Sequence, residues 1–202
     1  FEELQKGLER TMDMASAARR MGFDPERFVE ITPAADVAAR VEGLVGPPGV
    51  AKVIRQWESS GKSRELVAHQ VLLDILRGEL IKGDQAALID QGVRTAVSIL
   101  TEGVLVAPTE GIAHIKLKKN PDGSECLAIY FAGPIRSAGG TVAALSVVMA
   151  DVARRHFKIG DYRPTEDEVE RYVEEVTLYD ERCAHLQYKP TDDELRHIVR
   201  HC

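Results

Sequence analysis

The chain has 202 residues, of which 44% are hydrophobic and 29% charged, so it can form a substantial core in one or two domains. Its 26 Lys and Arg face 32 Asp and Glu, and the net charge of −6 argues against a generic basic nucleic-acid binder while leaving room for a local basic patch. Its three cysteines, Cys126, Cys183 and Cys202, are widely spaced, which fits a reducing compartment better than a disulfide framework. No apolar run reaches membrane-spanning length, so we expect a cytoplasmic protein without a membrane partner.

Helical periodicity dominates the first hundred residues. Apolar residues at helical spacing predict helices over 1–21, 35–45 and 50–58, and two more that begin at Ser63 and Asp84. We interpret residues 1–82 as a helical N-terminal region.

The period then changes to that of strands. A short strand is predicted at Val104–Val106, and a hairpin pairs Ile112–Lys118 with Glu125–Phe131 around the turn signal Asn120–Gly123. Alternation predicts that Ala113, Ile115 and Leu117 share one face of the first strand.

Helical signals return after the hairpin. The segment from Val142 to Asp151 is apolar nearly all round, which predicts a helix whose first half is buried. Capping boxes at Thr165–Glu168 and Thr191–Glu194 start two further helices, with a last strand at Leu186–Tyr188 between them.

These elements predict a mostly helical α+β fold. From residue 83 to 202 their order, helix, strand, strand, helix, helix, strand, resembles the KH-like arrangement of a small antiparallel sheet with helices packed on it. No Gly-x-x-Gly loop accompanies that order, so nucleic-acid binding of the KH type does not follow. The second domain is expected to be truncated at its C-terminal end, because the sequence stops within a helical pattern and looks like a piece of something longer.

The stretch Phe131–Thr141 joins a strand to a helix through a glycine-rich turn. Backbone N–H groups and a helix dipole at such a place suit an anion, and we take Arg136, Ser137, Gly139, Gly140 and Thr141 as candidate phosphate or nucleic-acid contacts. Gly133 and Pro134 are expected to shape the turn. A turn that needs positive φ explains the glycines equally well.

The glycine spacing matches neither the dinucleotide nor the Walker pattern. A small nucleotide- or phosphate-binding enzyme that uses Gly133–Thr141 is therefore an alternative rather than the first hypothesis. A helical interaction domain without a ligand is a third.

Basic side chains form a second candidate site on the hairpin. Lys116, Lys118 and Lys119 with Tyr130 make a patch that suits a phosphate backbone. Edge-strand lysines also discourage aggregation, and both explanations stay open. The same two explanations apply to the basic end of the helix at 154–158.

Catalytic and metal-binding patterns are scarce. His69 lies on an apolar helix, which is typical of a partly buried histidine whose hydrogen bonds are satisfied. His185, His197 and His201 do not have the spacing relative to the cysteines that a zinc finger requires. Acidic pairs such as Asp167-Glu168 coincide with caps or solvated helix faces. We predict no catalytic residue, metal ligand or cofactor in this chain.

Several segments carry a specific resemblance that spans the whole chain in order. Phe131–Thr141, Ala18–Pro25, Val41–Ala51, Thr109–Ile112 and Pro164–Glu175 are similar to the N-terminal region of the large subunit of the archaeal family D DNA polymerase.

The resemblance implies part of a two-subunit replicative DNA polymerase. Its polymerase site, with metal-binding aspartates and Mg²⁺, is expected far C-terminal to this region, and its 3′–5′ exonuclease in the small partner subunit. No position matches the catalytic motif, so the chain is expected to be inactive alone and to contribute scaffold, subunit contacts or contacts to primer-template DNA. Cys202 is expected to begin a Cys-x-x-Cys beyond this sequence.

Overall fold

The computed structural model describes residues 1–23, 34–102, 107–136 and 139–201. Over these residues it confirms a mostly helical α+β fold with a two-stranded antiparallel sheet. The helices are α1 (Glu2–Arg20), α2 (Val37–Leu44), α3 (Val50–Ser59), α4 (Arg64–Leu76), α5 (Gln85–Leu100), α6 (Gly140–His156), α7 (Glu166–Arg182) and α8 (Asp192–Arg200), and the strands are β1 (Ile112–Lys119) and β2 (Glu125–Phe131). The predicted connector after Asp24 and the predicted strand Val104–Val106 lie outside the described residues.

The centre of the core is the pair of helices α4 and α5. Both are lined with fully buried aliphatic side chains, among them Leu72, Ile75 and Ile89. Gly92 permits their close approach, because a Cβ atom at that position would lie 2.7 Å from Cδ1 of Leu72.

One continuous apolar cluster joins this pair to the rest of the fold. It includes Ala38 and Val41 of α2 on one side and Ile112, Ile115 and Met149 of the hairpin and α6 on the other. The cluster therefore has members on both sides of the predicted boundary at 82/83. That boundary stays a prediction.

The hairpin has the predicted strands but a different register at its start. Ile115 pairs with Ile129, whereas Ile112 pairs with Phe131 and His114 with Tyr130, so Ala113 is an extra residue in a bulge. Ile112 is therefore buried where Ala113 was expected to be, and Ala113 is exposed. The prediction that Ala113 shares the inner face is wrong, because a bulge shifts the alternation by one residue.

The predicted strand Leu186–Tyr188 is not formed. The N–H of Leu186 donates to Oδ1 of Asp180 over 2.9 Å, and the hydroxyl of Tyr188 donates to the carboxylate of Glu194, so this segment is bonded to α7 and α8 instead of to a sheet. Within the described residues the sheet has two strands, and the KH-like order lacks its last one. A single parallel bridge from Gly160 to Cys126 lies beside β2.

Helix α6 is less buried than its composition predicts. Ser146, Met149 and Ala153 face the core, but Val147 and Val148 are each 53% exposed. The prediction of a buried first half is wrong, because a helix packed on one side of a small core leaves its other side in solvent.

Helices α7 and α8 pack on each other through apolar residues of both, Val169 and Val173 with Leu195 and Val199. Both predicted capping boxes are present, at Thr165 and at Thr191. The pair is flanked by ion pairs, in which Arg196 contacts Glu170 and Arg200 contacts Glu166. By contrast, α1 buries no residue fully.

Candidate nucleic-acid interface

The start of the hairpin is held in place by one arginine. Arg94 of α5 is largely buried, and its Nη1 atom donates to the carbonyl oxygens of Pro108 at 2.6 Å and Ile112 at 2.8 Å. Asp90, one turn earlier, accepts from Nε of the same side chain at 2.9 Å. Sequence patterns missed this role, although a charged residue at an otherwise apolar helical spacing is the signal that would have drawn attention to it.

The far end of the hairpin is tied to the connector between α6 and α7. The buried side chain of Asn120 donates through Nδ2 to the carbonyl oxygen of Asp161, and its Oδ1 accepts from the N–H of Arg163 at 3.0 Å. The Arg163 guanidinium contacts Asp122 in the same turn at 2.6 Å. The hairpin is therefore fixed at both ends, which gives its outer face a defined position.

The exposed part of that outer face combines positive charge with an aromatic ring. The register places His114 and Lys116 of β1 opposite Tyr130 and Ala128 of β2. Nζ of Lys116 lies 6.0 Å from the centre of the Tyr130 ring, at the limit of a cation–π contact, and the tyrosine is 40% exposed. We call His114, Lys116 and Tyr130 the hairpin patch.

The two other predicted lysines lie in less positive surroundings. Lys119 pairs across the strands with Glu125. Lys118 is opposite Cys126, whose thiol pKa is raised by burial, while the charge of Lys118 acts in the opposite direction. The pKa of Glu168 is lowered chiefly by the hydrogen bond from the Thr165 N–H, and the charge of Lys118 adds a smaller decrease. Lys116 is therefore the predicted lysine that lies beside an aromatic face.

The glycine-rich turn has one residue with a special backbone conformation. Gly139 precedes α6 with φ 84° and ψ 162°, a region that side-chain-bearing residues rarely adopt. Gly133 and Pro134 begin a short 3₁₀ turn, Gly133–Arg136, and Gly140 is the first residue of α6. The positive φ expected of the turn is thus found at Gly139 and not at Gly133 or Gly140. At Gly133 and Gly140 a Cβ atom would also meet nothing within 4 Å, so neither position requires glycine for space.

The structure describes only some of the remaining residues of that candidate site. Thr141 is exposed in the first turn of α6. Ser137 lies outside the described residues, and Arg136 ends the 3₁₀ turn. Their contacts with phosphate stay predictions.

The basic end of α6 is largely neutralised. Arg154 contacts Asp151 at 2.8 Å and Asp161 at 2.7 Å, and Arg155 contacts Asp151 as well. These arginines are engaged in the fold, which favours the structural explanation for this cluster over a phosphate contact.

The described residues offer no group of three or more His, Cys, Asp or Glu side chains arranged to hold a metal ion. Cys126 is buried and Cys183 exposed, and both are free thiols. Among the helices of the described ranges, none combines the length and apolar character that crossing a bilayer requires.

The whole chain matches a known family. The profile of the family described as "DNA polymerase II large subunit DP2, N-terminal" covers residues 1–202. Proteins named DNA polymerase II large subunit are similar over nearly all of the chain: 50% identity in Methanocella arvoryzae across 100% of it, 49% in Methanosphaera stadtmanae and 46% in Pyrococcus abyssi across 99% in both. The chain spans 18%, 18% and 14% of the lengths of these relatives. By this match along its full length, the chain belongs to the family formed by the N-terminal region of DNA polymerase II large subunits.

Proposed function

We propose that the chain is the N-terminal scaffold of the polymerase subunit of an archaeal replicative DNA polymerase, and that it contacts primer-template DNA or the small exonuclease subunit. The observation that carries this proposal is the family match over all 202 residues, to relatives named for DNA polymerase. We propose that DNA synthesis, with its Mg²⁺, takes place elsewhere in the full-length subunit, as the resemblance implies. The chain itself would bind and position, and would be inactive alone.

The hairpin patch is the part of the surface that suits DNA best. Lys116 carries a positive charge without an acidic residue opposite it, and Tyr130 offers an exposed ring on which a base can stack. Arg94 and Asn120 support the hairpin at both ends, so the patch would meet DNA without first having to be ordered. The net charge of −6 restricts favourable electrostatics to local patches such as this one.

The glycine turn would extend the contact. Gly139 and Gly140 precede or begin α6, whose N-terminal N–H groups can face a phosphate, and Thr141 and Ser137 add hydroxyl groups nearby in sequence. Arg136 contributes a guanidinium within the same stretch. We propose these residues, with Lys118 and Lys119, as weaker contributors than Lys116.

The experiment is a pair of titrations of the 202-residue chain, one with a fluorescent primer-template and one with ATP. DNA binding that weakens steeply with salt, with no response to ATP, is the expected result. Tight ATP binding without any DNA response would instead favour a nucleotide-binding enzyme built on Gly133–Thr141. A pull-down with the small subunit tests the subunit contact separately, and failure of both DNA and subunit binding would contradict the proposal.

A further inference from the structure

Two histidine rings come together at the C-terminal end of α8. His197 lies in the last turns of the helix and His201 directly follows it, four residues later. Their ring centres are 4.4 Å apart, with the ring planes inclined by 35°. A tetrahedral ion bound by two imidazoles at about 2 Å each holds ring centres about 5 Å apart, so the observed separation is within about 1 Å of the one that a shared ion requires.

The hydrogen bonding of His201 leaves its Nε2 atom free to bind a metal ion. Its Nδ1 lies 2.7 Å from the carbonyl oxygen of His197. A carbonyl oxygen can only accept, so the proton of the neutral ring is on Nδ1, and Nε2 keeps its lone pair. A backbone carbonyl in this position is the usual partner that orients a metal-binding imidazole.

The surroundings favour a cation at this point. The last carbonyl groups of a helix carry partial negative charge, and His201 lies at that end of α8. The neighbouring arginines are engaged elsewhere, Arg196 with Glu170 and Asp193, and Arg200 with Glu166. Both histidines are exposed, so an ion can reach them without opening the fold.

In place of the sequence-based prediction of no metal ligand, we propose that His197 and His201 form a two-imidazole site for a divalent transition metal such as Zn²⁺. Two histidines at i and i+4 on one helical face are a recurring pair of zinc ligands. Within the described residues no third His, Cys, Asp or Glu joins them, so the other coordination positions are open to water or to a group from a binding partner. This site is independent of the proposed DNA contact, since it lies on α8 and not on the hairpin.

The test is a Zn²⁺ titration of the untagged 202-residue chain, with Cys183 and Cys202 replaced by serine so that thiols do not bind the metal. Competition with a chromophoric chelator gives affinity and stoichiometry. We expect one ion per chain, and a loss of affinity of more than about tenfold in both His197→Ala and His201→Ala. Because the two rings act as one chelate, the double variant should be little weaker than either single variant.

The matched control is His185→Ala, which removes another exposed imidazole close in sequence to α8 and should leave the affinity unchanged. Circular dichroism confirms that each variant keeps its helix content, and His197→Gln replaces His197→Ala if it does not. The proposal is overturned if His197→Ala binds Zn²⁺ as tightly as the parent, if His185→Ala is equally impaired, or if the losses in the double variant simply add.

Discussion

Arg94 of α5 donates a hydrogen bond to the carbonyl oxygen of Ile112, the first residue of β1, over 2.8 Å. The same Nη1 atom bonds the Pro108 carbonyl at 2.6 Å, so one helical side chain fixes the segment that leads into the hairpin. These bonds give partners to two backbone carbonyl groups of the segment that leads into the bulge at Ala113. The hairpin therefore depends on α5 for its position.

Replacing Arg94 by alanine should lower the free energy of unfolding by about 2–3 kcal/mol, because charge-assisted bonds to partly buried carbonyls are lost. Arg94→Lys should recover only part of this, since an ammonium group lacks the guanidinium fork. Urea denaturation measures both. Arg171→Ala, which breaks an exposed pair with Glu175, is the control and should have a much smaller effect, because solvent screens an exposed ion pair. Equal losses at the two arginines would contradict the anchoring role.

The contact between Asn120 and the α6–α7 connector leads to a second prediction. Asn120→Ala leaves the N–H of Arg163 and the carbonyl oxygen of Asp161 without their partner, and should cost about 1–3 kcal/mol. Asn120→Asp keeps the acceptor for Arg163 but places a buried carboxylate oxygen against the carbonyl oxygen of Asp161, so it should also be destabilising while keeping the bond to the Arg163 N–H. Amide hydrogen exchange at Arg163 is the local readout. Faster exchange in the alanine variant alone is expected, and unchanged exchange would show that the bond to Arg163 is not formed in solution.

Gly139 and Gly140 are neighbours with different backbone requirements. Gly139→Ala places a side chain at φ 84° and should destabilise the chain by about 1–3 kcal/mol. Gly140→Ala, in the first turn of α6 with open space around it, should be neutral or slightly stabilising. Thermal unfolding of the two variants side by side separates them. Equal effects would contradict the assignment of the special conformation to Gly139.

Acid should loosen the pair formed by α7 and α8. The hydrogen bond from Arg196 lowers the pKa of Glu170, and the Thr191 N–H lowers the pKa of Glu194. Because each pKa is lower in the folded chain than in the unfolded one, these carboxylates stabilise the fold above about pH 4.3, and this contribution disappears as the pH falls through the folded values.

Protection factors for α8 amides at pH 7 and pH 3.5 test this. We expect lower protection at pH 3.5, and a smaller change between the two pH values in Glu170→Gln, which has already lost one of the titrating groups. Protection that is constant with pH would show that the carboxylates contribute nothing to holding α8.

Local signals in the sequence were sufficient for much of this fold. The capping boxes at Thr165 and Thr191 and the turn after Asn120 depend on residues a few positions apart, and each was predicted and is present. The bulge at Ala113 and the missing strand at Leu186–Tyr188 depend on partners distant in sequence or on side-chain bonds, which periodicity does not encode.

The candidate site shows the same limit. The sequence singled out the lysines of β1 as a group, but only the structure shows that Nζ of Lys116 lies near the Tyr130 ring, whereas Lys119 pairs with Glu125. Arg94 and Asn120 act across 18 and 41 residues, respectively, and could not be recognised from spacing.

The most direct measurement of the proposed DNA contact compares Lys116→Ala with Lys52→Ala in binding to a fluorescent primer-template. Lys52 is an exposed lysine on α3, far from the hairpin in sequence, and its replacement by alanine removes the same charge. We predict that Lys116→Ala weakens binding and lowers the magnitude of the slope of log affinity against log salt by about one. Lys52→Ala should change the affinity and the slope much less, because it alters only the overall charge of the chain. Identical affinities and slopes for the two variants would contradict a DNA contact at the hairpin patch.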